Sequence, residues 1–161
     1  MSDTLPPYEV PPEERGRRIR PPQHKPDDDD GYFEVLTQAV FQAGFSWQVI
    51  RSKWPNFQAA FDGFDVDAVA AYDAPEVERL LGDAGIVRNA QKIEATIANA
   101  RTVQDIRDSY GSFEAYLRSL DGLPYEARRD DLAGRFRWLG PTGAYFFLYS
   151  VEEDVPGWHE R

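Results

Sequence analysis

The sequence predicts an all-α domain built from about eight short helices. Three observations point there. Apolar residues recur at three- and four-residue spacing along most of the chain. No segment alternates apolar and polar residues convincingly over the length of a strand. Residues that cap or stop helices stand between the periodic runs, with neither an internal repeat nor coiled-coil heptads.

From Tyr32 onward each element has a local reason. Phe33, Leu36, Val40 and Ala43 share one helical face, and Gly44 is placed to stop that helix. Ser46 caps a new helix with Trp47 just inside it. Pro55 suits the first turn of the next, which carries Phe57 and Phe61, because proline there forfeits no helical hydrogen bond. Asp65 caps a short helix holding Val66, Val69 and Ala70. Asp73 and Glu76 have capping-box spacing around Pro75, and that helix runs through Val77, Leu80 and Leu81 to Gly82. Asn89 opens a long helix with Ile93, Ile97, Ala100 and Val103 on its inner side. Ser112 caps a helix with Phe113, Tyr116 and Leu117 that ends near Gly122. A last, aromatic helix follows Gly140.

Residues 1–31 differ from the rest. They hold seven of the twelve prolines, and proline fixes φ and removes an amide donor. This arm is extended or irregular, either wrapped over the domain or partly flexible, and the helical domain occupies residues 32–161. With 42% hydrophobic and 14% aromatic residues, the 161-residue chain can fill one core. The absence of cysteine excludes disulfides and thiolate metal sites and fits a soluble, cytoplasmic protein. No apolar run approaches a membrane span.

The net charge of -10 opposes binding to nucleic acid, but binding depends on where the charges lie. Acidic residues cluster at Asp27 to Asp30 and at Glu152, Glu153 and Asp154. Basic residues gather at Arg15, Arg17, Arg18 and Arg20, at Arg88 and Lys92, and at Arg128, Arg129, Arg135 and Arg137. A local basic face is compatible with this spacing, as is a solvated surface of scattered charge.

Three segments can carry chemistry. The first is Phe41-Gln42-Ala43-Gly44-Phe45-Ser46-Trp47, where a helix break sets Trp47 at the start of a new helix; an aromatic ring there can stack on a base or simply fill the core. The second is Gly85-Ile86-Val87-Arg88-Asn89 followed by Lys92, Ile93, Ala95, Asn99 and Ala100, in which Arg88 and Lys92 lie one turn apart and face solvent or phosphate. The third is Arg135 to Phe147, where a Gly140-Pro141 turn precedes an aromatic helix. A glycine in such a turn lets backbone N–H groups approach a phosphate, and the helix dipole adds to the attraction. Leu139, Gly140 and Thr142 form this candidate cradle.

Together these segments resemble the DNA-3-methyladenine glycosylase I family, and the third is similar to the helix-hairpin-helix of DNA glycosylases. The resemblance covers about residues 32–150. It implies a base-excision repair enzyme that flips an alkylated, 3-methyladenine-like base out of double-stranded DNA and hydrolyses its N-glycosidic bond, working as a monomer. It places Trp47, Gln42, Gln38 and Ala39 at the base pocket, and Arg88, Lys92, Leu139, Gly140 and Thr142 against DNA. Ala39 stands where the family carries a glutamate that recognises the cationic base. The family also has a zinc site of two Cys and two His near the chain ends. Here there is no Cys, and the only histidines are His24 and His159, so no metal or other cofactor is expected. Tyr8 is the one aromatic in the arm that replaces the family's aromatic N-terminal segment. No residue is assigned as the water-activating group. A second reading keeps the fold and hairpin without the chemistry, as a catalytically degenerate DNA-binding module; the acidic balance supports a third, a protein-interaction domain.

Overall fold

The computed structural model describes residues 23–43 and 46–160. The basic arm residues Arg15 to Arg20, Tyr8 and the Gly44 helix stop lie outside them. Among the described residues there are eight α-helices and no strand: α1 Asp29–Gln42, α2 Trp47–Ala60, α3 Val66–Ala70, α4 Ala74–Leu81, α5 Ala90–Tyr110, α6 Phe113–Ser119, α7 Tyr125–Arg135 and α8 Pro141–Ser150. The all-α class is therefore as expected. None of the described helices is long and apolar enough to cross a membrane.

The caps read from sequence form as hydrogen bonds. Ser46 accepts from the Val49 amide, Asp65 from Ala68, Asn89 from Lys92 and Ser112 from Ala115. Asp73 and Glu76 close a full capping box. Each satisfies amides that a helix start leaves unpaired.

Two features differ from the sequence expectation. The helix break at Pro55 is absent: α2 runs continuously from Trp47 to Ala60 with Pro55 inside it. An interior proline costs about 3 kcal/mol, and the packing on both sides of it outweighs that. Trp54 stacks on Phe64 with ring centres 5.1 Å apart and on Phe57 at 4.9 Å. Its indole N–H donates to Glu34 Oε2 at 2.8 Å. The second difference is α7, unread in a sequence where only Tyr125 and Leu132 are buried. The expected count of helices is met because these two differences offset each other.

The acidic run is a fastening rather than a solvated patch. Asp28 caps α1, so the helix begins at Asp29, before Tyr32. Asp29 accepts from the Phe113 amide at 2.9 Å and pairs with Arg107 at 3.1 Å. Asp30 accepts from the Val66 amide at 3.0 Å. Three carboxylates at a helix N-terminus also sit favourably in its dipole. They tie the start of α1 to α3, α5 and α6.

The core lies between α1, α5 and α8. The 21-residue α5 packs against α1, α3, α4 and α6, burying Ile93, Ile97, Ala100, Val103 and Ile106. Phe33, Leu36 and Val40 of α1 and Ala144 to Leu148 of α8 complete it. The strap before α1 is docked, too. The His24 amide donates to Ser150 O at 3.0 Å and Gln23 Nε2 to Tyr149 O at 2.9 Å. At the other end, Tyr145 Oη donates to Pro156 O at 2.7 Å, and Trp158 meets the Tyr145 ring edge-on at 5.2 Å. Both described chain ends are thus fastened to α8.

Candidate nucleic-acid interface and base pocket

The hairpin between α7 and α8 is built on buried anchors. Phe136 packs into the core beside Phe113, and Leu139 is buried. From α5, the buried Asn99 holds the backbone of Arg137 twice: its Nδ2 donates to Arg137 O at 3.1 Å, and its Oδ1 accepts from the Arg137 amide at 2.8 Å. Gly140 occupies the N-cap position of α8 with no side-chain cap, and Pro141 fills the first turn. Helix geometry leaves the first amides of α8 after Pro141 without an intrahelical acceptor, an arrangement suited to an anion. Thr142 is exposed beside them.

A Cβ built on Gly140 meets open space, and its φ of -83° suits any residue. Gly140→Val should therefore fold and melt normally, yet weaken duplex binding by crowding the approach of a phosphate to these amides. Fluorescence polarisation with a labelled duplex checks this. Gly143 is different: a Cβ there would lie 3.0 Å from Leu139 Cδ1. The tight seating of Leu139 under α8 depends on that glycine.

The pocket corner lies against the same helix. Ala39 is 1% exposed, and its carbonyl oxygen sits 4.0 Å from the Cβ position of Gly143. Trp47 packs on Phe146 of α8, ring centres 5.9 Å apart. Gln38 and Gln42 are half-buried on α1. Segments some hundred residues apart in sequence thus meet at one corner, with the hairpin at its edge.

Trp47 is only 2% exposed. Its ring is part of the core, whereas the sequence reading placed it as a stacking platform for a base. Among the described residues its Nε1 and Gln48 Oε1 are buried polar atoms with no hydrogen-bond partner.

Lys92 departs from the expected phosphate-facing position. Arg88 precedes α5 and is exposed, but Lys92 lies in its first turn, 5% exposed, with Nζ donating to Ala43 O at 2.6 Å. The two do not share a face. Lys92 closes the carbonyl end of α1, where a cation suits the helix dipole. Burial lowers its pKa from the ordinary lysine value. The native state therefore releases this proton before the unfolded chain does, and in that alkaline window stability rises with pH.

The remaining basic cluster is largely spoken for. Arg129 pairs with Asp130 at 2.9 Å, and Arg135 with Asp131 at 2.7 Å. Arg135 also lies over the rings of Tyr116 and Tyr110. Asp131 is held below its ordinary range: burial opposes this, and the hydrogen bonds from Tyr116 and Arg135 prevail. Through Tyr116 and Tyr110, Asp131 and Arg135 tie α7 to α6 and α5. Among the described residues, Arg88 and Arg137 are exposed cations of the sequence candidates with no ion pair.

The donors for a family-type zinc site do not fit. There is no Cys, and among the described residues no group of three or more His, Asp and Glu is placed to hold a metal. Hydrogen bonds and the Tyr145–Trp158 contact hold the chain ends instead. Excess chelator should leave the melting temperature unchanged, and elemental analysis should find no stoichiometric zinc.

Comparison with known proteins identifies the family and the fold. The family model for methyladenine glycosylase matches residues 22–133. DNA-3-methyladenine glycosylase 1 of Escherichia coli (strain K12) is 31% identical over 152 residues, which cover 81% of this chain and 81% of that protein. A crystal structure of a 3-methyladenine DNA glycosylase I is 28% identical, with a TM-score of 0.73 over 92% of each chain. The Staphylococcus aureus 3-methyladenine DNA glycosylase I superposes with a TM-score of 0.75 at 24% identity, over 93% of this chain and 90% of that one, and so shares the fold. On its sequence and its helical architecture, this chain is a member of the methyladenine glycosylase family.

Proposed function

We propose that this protein is a base-excision DNA glycosylase that binds double-stranded DNA and releases an alkylated, 3-methyladenine-like base, acting as a cytoplasmic monomer. One observation carries this reading: the candidate phosphate hairpin and the candidate base corner are packed on each other, through Ala39 against Gly143 and Trp47 against Phe146. An enzyme that extrudes a base needs both within a nucleotide's reach, because the backbone must be gripped where the base is turned out.

The chemistry asks little of the protein. A base alkylated to a cation leaves with the bonding electron pair and becomes neutral. A water oxygen forms the new bond to the sugar carbon and gives up its proton. The protein has to position the sugar, the water and the extruded base. With alanine at position 39, recognition falls to neutral groups: the Gln38 and Gln42 amides and the buried edge of Trp47. The loss falls on recognition of the positive charge more than on bond breaking.

The test is release of 3-methyladenine from methylated duplex DNA by the purified protein, with an undamaged duplex as control. The burial of Trp47 and Ala39 favours the second reading, a DNA-binding module with a closed pocket. Duplex binding with no release from any alkylated substrate would establish that reading instead.

A further inference from the structure

The hairpin apex carries a residue outside the cradle described above. Of the four tryptophans, Trp47, Trp54 and Trp158 are 2%, 7% and 8% exposed, whereas Trp138 is 51% exposed. Its φ is +60°, in the left-handed region that side chains rarely adopt. Backbone strain of this kind persists only where the surroundings impose it. The surroundings do so here: Asn99 grips Arg137 on one side, and Leu139 is buried on the other. The indole is therefore set outward by a fixed frame.

We propose that Trp138 is a DNA-contact residue, its indole lying against the sugar and base edge beside the phosphate held at the start of α8. This rests on the glycosylase reading. The chemistry around the ring selects the partner. Arg137 on one side is an exposed cation, and the uncapped start of α8 lies two residues away on the other. Two residues span roughly 7 Å of chain at most, so a ring beside that phosphate falls on the adjoining nucleoside. Its face offers apolar contact that any sequence can accept, as stacking platforms do. Contact of this kind releases no counterion. It adds affinity without adding to the salt dependence, which the phosphate contacts set.

The experiment uses the full chain and an undamaged duplex. Trp138→Ala should bind roughly tenfold more weakly at a fixed salt concentration, within the range seen for lost stacking contacts. The slope of log affinity against log salt should not change. Trp138→Phe should retain most of the binding, and all three proteins should melt alike. In the wild type, Trp138 supplies the acrylamide-quenchable fluorescence, and saturating duplex should shield it. Unchanged affinity for folded Trp138→Ala, or quenching that duplex leaves unaltered, would overturn the proposal while the glycosylase reading stood. Loss of self-association in Trp138→Ala, with DNA binding intact, would assign the ring to an interface between copies. A wild type that binds no duplex at low salt would overturn both readings.

Discussion

Trp47→Ala should cost the protein about 3–5 kcal/mol, the usual effect of removing a large aromatic from a packed core. Most domains have only about 5–15 kcal/mol to lose. The melting temperature should fall by roughly 10 °C or more, and base release should be lost along with the fold at assay temperature. The reason is the position of the ring, 2% exposed and packed on Phe146. Trp47→Phe retains much of the apolar volume but removes the buried Nε1. It should melt within a few degrees of the wild type, so its base release reports on the pocket and not on folding. If Trp47→Ala melts like the wild type, the indole faces an open cavity and the core assignment is wrong. Thermal melts of the three proteins decide between these outcomes before any assay of activity.

The contrast between the two views of Trp47 shows what a sequence can transmit. Helix starts were legible because a cap is local: Ser46, Asp65, Asn89 and Ser112 each bond to an amide three residues on. The fold class was legible for the same reason, since periodic burial is a property of one helix at a time. What remained hidden depends on distant partners. Pro55 interrupts a helix in isolation, but Trp54 is held by Glu34, Phe57 and Phe64. Asp29 and Asp30 look like solvated charge until the amides of Phe113 and Val66 arrive. Lys92 looks like a surface cation until Ala43 O is brought to it. The convergence of Ala39 with Gly143 was not readable from either segment.

Ala39→Glu is the variant with the largest expected gain. A carboxylate that receives a charged hydrogen bond from a cationic base is worth about 1.5–3 kcal/mol, or roughly 10- to 100-fold. Release of 3-methyladenine should rise by that order, and release of a neutral alkylated base should not. The cost is burial. Ala39 is 1% exposed beneath the first turn of α8, and an unpaired carboxylate there is driven toward its protonated form. Its folded pKa is then above the unfolded one, so the penalty to stability grows as pH rises between the two values. The gain in recognition needs the ionised form, so it grows with pH in the same window. Activity and stability of Ala39→Glu should therefore move in opposite directions with pH, relative to wild type. Release assays and melts across that range measure both. Equal gains on cationic and neutral bases would mean that the side chain acts by shape, not charge. A folded variant with no gain, beside a wild type that releases nothing, would leave a protein that grips DNA through its hairpin and does no chemistry.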